Sequence, residues 1–289
     1  MTAPSAADWA PFEIVIFDCD STLSTVEGID ELARWAGREA EVADLTRRAM
    51  DGELALETIY SRRLELLNPT REHVRRLSQL YQTTIIPDAP AVIQALHAAG
   101  RAVYIVSGGL AEGVRAFGQW LGVPAERIFA VELEYNQLAG RWWEAWRHPA
   151  GRNPAEHYLA HDGGPLTMGQ GKAEIIHRLR AARRGRALLV GDGTSDLEAG
   201  AAVDLFVGFG GAVNRPRVRA AAPVFLPMLE LAPIVPLALA RPGGPSAEHA
   251  ALHQRGLDLI RTGQVLFQDS AARAALLTRL GLPAALIPE

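Results

Sequence analysis

Short and almost wholly apolar runs recur along the chain and predict β-strands. The first run is Phe12-Glu-Ile-Val-Ile-Phe17, and similar runs lie at Ala102–Val106, Arg127–Val131, Ala187–Val190 and Leu205–Val207. Continuous apolar strands are typical of a parallel sheet that is buried on both faces. Segments with helical periodicity separate most of the runs: Ala91–Ala99, Leu110–Leu121 and Lys172–Ala182. This alternation predicts βαβ units and an α/β fold.

Residues 26–84 interrupt the alternation directly after the first predicted strand. They carry helical stripes, such as Val74 with Leu77, and no convincing strand. Thr70 precedes one of these stripes and is a plausible N-cap. We therefore expect a helical cap, residues 26–84, inserted into an α/β core made of residues 1–25 and 85–226.

The rest of the chain is more irregular. Glu132–Trp146 alternates around Asn136-Gln-Leu-Ala-Gly140 and predicts a hairpin, whereas His148–Gln170, rich in Gly, Pro and His, predicts a long loop. The β pattern stops after about residue 227, and Pro242-Gly-Gly-Pro245 predicts a linker before two helical stretches, Ala247–Arg261 and Asp269–Leu280. We therefore expect residues 227–289 to form a C-terminal helical extension. Three roles are open for it: packing on the core, forming a dimer interface or binding a regulator.

Composition excludes several classes of function. The chain has 289 residues, with 48% apolar and 21% charged types, which is ordinary for a globular protein. Its 29 basic and 33 acidic side chains leave a formal net charge of −4, so no broad cationic excess attracts nucleic acid or an anionic membrane. The arginines between Arg178 and Arg186 are interpreted as a solvated helix end. Cys19, the single cysteine, excludes an intramolecular disulfide and a multi-cysteine zinc site.

No signal peptide or membrane span is recognisable in the sequence. The first residues lack a basic region followed by an apolar core, and no apolar stretch reaches about 18 residues. We expect a soluble cytoplasmic protein with a small-molecule partner, and a homodimer is one option for its assembly.

Polar residues that could take part in catalysis follow the predicted strands. Asp18-Cys-Asp-Ser-Thr22 follows the first strand, Ser107-Gly-Gly109 the second, and Gly191-Asp-Gly-Thr-Ser-Asp196 the run at Ala187–Val190, while Lys172 opens a helix. Each motif alone has a structural alternative: an N-cap aspartate, a glycine turn or a solvated lysine. Together they place carboxylates, a hydroxyl and a lysine beyond the carboxyl ends of one sheet, where ligands bind.

This combination of residue types favours phosphoryl transfer. Carboxylate-rich oxygen sites suit Mg²⁺, and lysine neutralises phosphoryl oxygens as a point charge. A carboxylate then serves as the nucleophile.

In this order the four motifs resemble those of the haloacid dehalogenase (HAD) superfamily of phosphatases, and most nearly its phosphoserine phosphatases. Further matches are Glu27-Gly-Ile-Asp-Glu-Leu-Ala33, Thr46-Arg-Arg-Ala-Met50, Arg63-Leu64 and Gly208-Phe-Gly-Gly211. The resemblance spans residues 12–226. It implies a HAD-like Rossmannoid parallel sheet and Mg²⁺-dependent hydrolysis of O-phospho-L-serine through a phosphoaspartyl intermediate.

The resemblance also implies a role for each matching residue. Asp18 attacks phosphorus, and Asp20 protonates the leaving oxygen and later takes a proton from water. Mg²⁺ is held by the Asp18 carboxylate, the Asp20 backbone carbonyl and Asp192. The phosphoryl oxygens are bound by Ser107, Gly108 and Lys172, and Asp196 supports the metal waters or the lysine.

Substrate choice is expected from the cap. By resemblance, Glu27 meets the substrate's ammonium group, Arg63 forms a bidentate pair with its carboxylate, and Met50 is an apolar wall. An exposed glutamate on a charged helix and a core methionine are the plain alternatives. Leu56 stands where the family usually has Phe, and Ser195, at a position that is often Asn or Thr, is placed to contact substrate.

Other segments leave further hypotheses open. Trp142, Trp143 and Trp146 lie in a segment longer than the family's and form either a lid, a partner surface or, more simply, the packing of a hairpin. Leu56 and this long loop motivate a second hypothesis, a HAD phosphatase or phosphotransferase acting on phosphothreonine, phosphohomoserine or a similar ester. A third, a catalytically silent scaffold or sensor, is disfavoured by the intact aspartates.

Overall fold

The computed structural model describes residues 11–50, 56–138, 143, 147, 153–239 and 246–281. Nine strands lie in these residues: β1 Ile14–Phe17, β2 Ala102–Leu110, β3 Ile128–Val131, β4 Leu133–Asn136, β5 His157–His161, β6 Ala187–Gly191, β7 Leu205–Phe209, β8 Val224–Leu226 and β9 Leu266–Phe267. Seven of them form one sheet in the order β3-β2-β1-β6-β7-β8-β9. All neighbours in that sheet are parallel except β8 and β9.

Twelve helices surround the strands within the described residues: α1 Gly28–Ala36, α2 Glu39–Met50, α3 Leu56–Leu67, α4 Arg71–Thr83, α5 Ala89–Ala98, α6 Ala111–Trp120, α7 Gly171–Ala182, α8 Thr194–Ala199, α9 Pro216–Ala221, α10 Ile234–Ala238, α11 Ala247–Arg261 and α12 Ser270–Arg279. None of the helices in this part of the chain combines the length and apolarity needed to cross a membrane.

The central strand is buried on both faces, as its composition predicts. β1 lies between β2 and β6, and every one of its side chains is fully buried. Its alternate side chains enter two separate apolar clusters, with Val15 and Phe17 on one face and Ile14 and Ile16 on the other. The five predicted strands and the doubly covered α/β architecture are thus confirmed, while β8 and β9 were not predicted.

Helices α1 to α4 lie between β1 and β2, in the stretch where the alternation breaks. The hydroxyl of Thr70 accepts a hydrogen bond from the backbone N–H of His73, so its predicted N-cap role is confirmed. α4 packs closely on α6 because Gly113 has no side chain: a Cβ there would lie 3.0 Å from the carbonyl oxygen of Val74.

The stretch predicted to be a long loop contains a strand. β4, in the first arm of the predicted hairpin, pairs in antiparallel fashion with β5, and most of the second arm of that hairpin, residues 141–146, lies outside the described residues. The sequence Glu156-His-Tyr-Leu-Ala-His161 has only a short alternating pattern, and its pairing with β4 is a long-range contact that local periodicity does not reveal. Trp142 and Trp146 lie outside the described residues, and Trp143 is exposed.

The described part of the C-terminal extension packs on the core. The Asp88 carboxylate, at the start of α5, accepts the backbone N–H groups of Leu231 and Ala232 at 2.9 and 2.7 Å. α11 matches its predicted bounds, and its Leu259 and Ile260 are fully buried in the cluster that also contains Phe17. β9 adds a short antiparallel edge to the sheet. The predicted linker, residues 242–245, lies outside the described residues.

Candidate active site

The predicted site residues meet at the carboxyl ends of β1, β2 and β6. A cleft of about 320 Å³ opens there between the sheet and helices α1 and α3. The predicted residues that line it are Asp18, Asp20, Glu27, Arg63, Ser107, Gly108, Lys172, Asp192 and Ser195. Asp196 lies directly beneath and is fully buried. Met50 ends α2, but its side chain and that of Leu56 lie outside what the structure describes.

Lys172 is held between two buried carboxylates. Its Nζ lies 2.7 Å from Asp18 Oδ2 and 2.7 Å from Asp196 Oδ1. Burial alone lowers the pKa of this lysine, but the charges of Asp18 and Asp196 outweigh burial and raise it above its usual value. Lys172, the only lysine of the chain, is therefore a fixed cation beside Asp18.

A glycine lets the start of α7 bring Lys172 to this position. The residue before it is Gly171, which packs against the turn at Pro165–Thr167. A Cβ at Gly171 would lie 1.5 Å from the carbonyl oxygen of Pro165. Any larger residue would push the helix start, and with it the ammonium group, away from Asp18.

The Asp20 side chain is fixed by donors from three elements. Its Oδ1 accepts the N–H of Gly28 at 2.7 Å and the hydroxyl of Tyr81 at 2.8 Å. Its Oδ2 lies 3.4 Å from the Ser107 hydroxyl. Burial, followed by the charge of Asp18, raises the pKa of Asp20 to about 6. This direction suits a carboxyl group that donates a proton near neutral pH.

Cys19, between the two aspartates, is a buried neutral thiol. Burial, and then the charges of Asp20 and Asp18, raise its pKa well above the usual value. A thiol that keeps its proton is a poor nucleophile.

Arg215 is a site residue that sequence reasoning missed. Its Nε donates to Asp192 Oδ2 at 2.8 Å, and its terminal nitrogen Nη2 donates to Glu27 Oε1 at 2.9 Å. Ser21 also donates to Glu27 Oε1, at 2.8 Å, and Ser21 has a positive φ of 52° in the turn that follows Asp20. The only available signal was proximity to the Gly208-Phe-Gly-Gly211 motif, four residues earlier.

The Glu27 carboxyl is only partly compensated by these donors. Burial, and then the charge of Asp20, raise its pKa to about 7, against the lowering effects of Ser21 and Arg215. Glu27 therefore lies in a region with an excess of negative charge.

Arg63 enters the cleft from α3 with an unused donor. One of its terminal nitrogens donates to the Thr46 hydroxyl at 2.7 Å, whereas its Nε is buried and has no hydrogen-bond partner. Burial lowers the pKa of this guanidinium from its ordinary value. An unpaired buried donor is costly, so the group is suited to an anionic ligand.

The carboxylate cluster fits a hard divalent cation. One oxygen each of Asp18, Asp192 and Asp196 lie within 4.8 Å of one another. Asp18 and Asp192 line the cleft, whereas Asp196 is fully buried beneath it and accepts Lys172 and the Gly193 N–H, so Asp18 and Asp192 are the better placed ligands. Burial, and then the charge of Asp18, raise the pKa of Asp192 to about 6, as expected where negative charge exceeds positive charge. Carboxylate oxygens are the ligands that Mg²⁺ prefers.

The fold and this cleft agree with a family assignment. The family model described as haloacid dehalogenase-like hydrolase matches residues 15–201, which include most of β1, the inserted helices, Lys172 and Asp192. The chain belongs to the haloacid dehalogenase-like hydrolase family, and it is an enzyme of the hydrolase class.

The chain is similar in sequence and in structure to individual phosphoserine phosphatases. The phosphoserine phosphatase of Drosophila melanogaster is 33% identical over 209 residues, which cover 71% of this chain and 71% of the relative. The structure of a phospho-aspartyl intermediate analogue of phosphoserine phosphatase has a TM-score of 0.62 and 26% identity, covering 78% of this chain and 98% of that one. The structure of DsGPDH of Dunaliella salina has a TM-score of 0.65 and 27% identity, but this chain spans only 39% of its length.

Proposed function

We propose that the protein hydrolyses O-phospho-L-serine to L-serine and phosphate with Mg²⁺ and through a phosphoaspartyl intermediate. One observation carries the proposal: a buried aspartate paired with a buried lysine shares its cleft with Glu27 and Arg63. The first pair suits a phosphoryl group, and the second pair suits the ammonium and carboxylate groups of an amino acid. The similarity to phosphoserine phosphatases supports the same substrate.

In the first step Asp18 attacks phosphorus. A bond forms between a carboxylate oxygen and phosphorus, the ester bond breaks, and its electron pair leaves with the serine oxygen. Asp20, held by Gly28 and Tyr81, gives that oxygen a proton. Lys172 neutralises charge on the phosphoryl oxygens, and the Ser107 hydroxyl donates a hydrogen bond to them.

In the second step water hydrolyses the phosphoaspartate. The Asp20 carboxylate takes a proton from the attacking water, phosphate leaves, and the Asp18 carboxylate is restored. Mg²⁺, held by Asp18, the Asp20 carbonyl and Asp192, would offset the repulsion between the Asp18 carboxylate and the phosphate dianion.

The helical insertion would select the substrate. We assign the ammonium group to Glu27 and the carboxylate to Arg63, whose Nε has no partner before substrate arrives. Ser195 lines the cleft beside them, and Asp196 orients Lys172. Residues 26–84 are accordingly proposed as a specificity cap on the core, and the reaction is proposed to supply serine in the cytoplasm.

A profile of phosphate release tests the proposal. It compares O-phosphoserine, O-phosphothreonine, O-phosphohomoserine, sugar phosphates and p-nitrophenyl phosphate, each with and without Mg²⁺. We expect preference for O-phosphoserine and loss of activity after chelation. A preference for another ester would instead support a phosphatase of a different small phosphomonoester.

Two substitutions test the assigned roles. Asp18→Asn should abolish turnover because an amide is a poor nucleophile, and unchanged activity would eliminate Asp18 as the attacking group. Arg63→Ala should raise the KM for O-phosphoserine much more than that for p-nitrophenyl phosphate. Arg62→Ala is the matched control, because Arg62 lies on the same helix but is exposed outside the cleft. Equal effects on both substrates would remove Arg63 from the carboxylate role.

A further inference from the structure

Tyr60 connects the inserted helices to the proposed phosphoryl-binding turn, which is the irregular end of β2 at Ser107, Gly108 and Gly109. It lies on α3, lines the cleft, and donates its hydroxyl to the carbonyl oxygen of Gly108 at 2.9 Å. Burial, and then the charge of Asp20, raise the pKa of this phenol, so the hydroxyl keeps its proton and remains a donor at ordinary pH. Gly108 lies between Ser107 and Gly109, and the Gly109 N–H donates to the Ser107 hydroxyl at 3.0 Å. The tyrosine thus contacts the middle of a turn whose shape is otherwise set by the core.

The position of Tyr60 is supported from behind by β5. The rings of Tyr60 and His161 meet edge to face, with centroids 5.3 Å apart and an interplanar angle of 79°. His161 Nδ1 accepts the N–H of Gly163 at 3.1 Å, which assigns the proton of the neutral ring to Nε2. Nε2 lies 2.9 Å from the Ser61 hydroxyl and donates to it in this tautomer. Two consecutive residues of α3 are therefore held by one histidine.

Tyr60 and Arg63 share one face of α3. Residues three apart on a helix are neighbours, so both side chains enter the same cleft. The hydrogen bond to Gly108 therefore ties the helix that carries Arg63 to the turn formed by Ser107, Gly108 and Gly109. In the proposed reaction those two points bind the two ends of one substrate molecule.

We propose that Tyr60 is a specificity-determining positioning residue that matches the distance between Arg63 and the phosphoryl-binding turn to a phosphorylated 2-amino-3-hydroxy acid. The inference rests on the proposed function. A phosphoester with one more methylene between phosphate and carboxylate does not fit this distance while the bond to Gly108 is intact. An aryl phosphate has no carboxylate for Arg63 and does not depend on the distance.

Tyr60→Phe tests the inference because it removes one hydroxyl and keeps the ring against His161. The kinetic constants are measured for O-phosphoserine, O-phosphohomoserine and p-nitrophenyl phosphate. We expect the KM for O-phosphoserine to rise about 3- to 10-fold, in line with the loss of one neutral hydrogen bond. The preference for O-phosphoserine over O-phosphohomoserine should fall by a similar factor, with hydrolysis of p-nitrophenyl phosphate unchanged. The control is Tyr158→Phe on β5, whose hydroxyl makes no hydrogen bond within the described residues.

A double-mutant cycle separates positioning from general structural support. In an Arg63→Ala background, Tyr60→Phe should no longer change the KM for O-phosphoserine, because the group that it positions is absent. Ser61→Ala, which loosens α3 without altering the cleft, should shift the KM in the same direction by a smaller factor.

The outcomes distinguish this inference from the function on which it rests. If the unaltered protein shows no preference for O-phosphoserine over p-nitrophenyl phosphate, both are overturned. If it shows the preference and Tyr60→Phe retains it, or lowers activity on all three substrates equally, only the role of Tyr60 is overturned. Additive effects in the double-mutant cycle would overturn it as well.

Discussion

Replacing Lys172 with methionine should destabilise the protein in a strongly pH-dependent way. The side chains of Lys172, Asp18 and Asp196 are 6%, 10% and 0% exposed, and both N–O distances are 2.7 Å. Lys172→Met keeps most of the side-chain volume but leaves two buried carboxylates without their shared cation. The same substitution should abolish phosphatase activity, but stability is the more direct measure of this interaction.

The size of the effect follows from the burial of all three groups. Removing one partner of a buried ion pair costs about 3–5 kcal/mol, because the remaining charge is neither hydrated nor paired. The total free energy of unfolding of a domain is about 5–15 kcal/mol, so the variant should still fold. At about 2–4 °C per kcal/mol for a chain of this size, we expect the Tm to fall by roughly 6–20 °C.

The sign of the pH dependence follows from the pKa of Asp196. Burial raises the pKa of this carboxyl group above its usual value, the charge of Lys172 opposes the rise, and the substitution removes that opposing effect. A carboxyl group of this kind stabilises the fold below its unfolded pKa, and the contribution is lost as the pH rises through the folded pKa. The stability difference from the unaltered protein should therefore be largest at pH 8 and should shrink toward pH 5.

Urea unfolding at pH 8, 6.5 and 5 in the presence of a chelator measures this difference. Arg178→Met is the control, since it removes an exposed i,i+4 pair with Glu174 on the same helix and should have little effect. Because Lys172 is the only lysine and is buried, cleavage by a lysine-specific protease reports unfolding of the unaltered chain independently. A stability loss below about 1 kcal/mol, or one that is the same at every pH, would refute the reasoning.

Three further variants test other parts of the molecule. Tyr81→Phe removes the hydroxyl that donates to Asp20 at 2.8 Å, and we expect kcat to fall about 10-fold with little change in KM; an unchanged kcat would show that Gly28 and Ser107 suffice to orient the carboxyl group. Gly171→Ala places a Cβ 1.5 Å from a backbone oxygen of Pro165, so the free energy of unfolding, measured with urea, should fall by about 3 kcal/mol; a loss under about 1 kcal/mol would mean that this turn yields easily. His253 has a buried Nε2 without a hydrogen-bond partner, and burial lowers its pKa. Its contribution to stability is present above the unfolded pKa of about 6.5 and is lost as the pH falls below it. His253→Phe should therefore flatten the decline of Tm between pH 7 and pH 5, and an unaltered slope would contradict this.

The structure differs most from the sequence-based prediction at β5. Residues 157–161 read as part of a loop because they are flanked by Gly and Pro and carry two histidines. In the fold they pair with β4, and His161 holds Ser61 and Tyr60 from a hundred residues away along the chain. A strand whose partner is distant has no local signal stronger than its own short alternation.

The sequence by itself determined the sheet and the order of the chemical groups. Apolar runs such as Ile14–Phe17 specify buried parallel strands, and the polar residues directly after them must lie at one edge of the sheet, because parallel strands all end on the same side. Asp18, Asp20, Ser107 and Asp192 could therefore be placed together from local patterns alone.

Only the tertiary structure decided which side chains complete the site. Tyr81 reaches Asp20 across 61 positions of the sequence, and Arg215 reaches Glu27 across 188. Such contacts depend on how helices pack against the sheet. The sequence of a helix does not indicate which distant residue a given side chain will contact. The physical reason is that strand formation is encoded in neighbouring residues, whereas hydrogen bonds between distant elements form only once the whole core has brought those elements together.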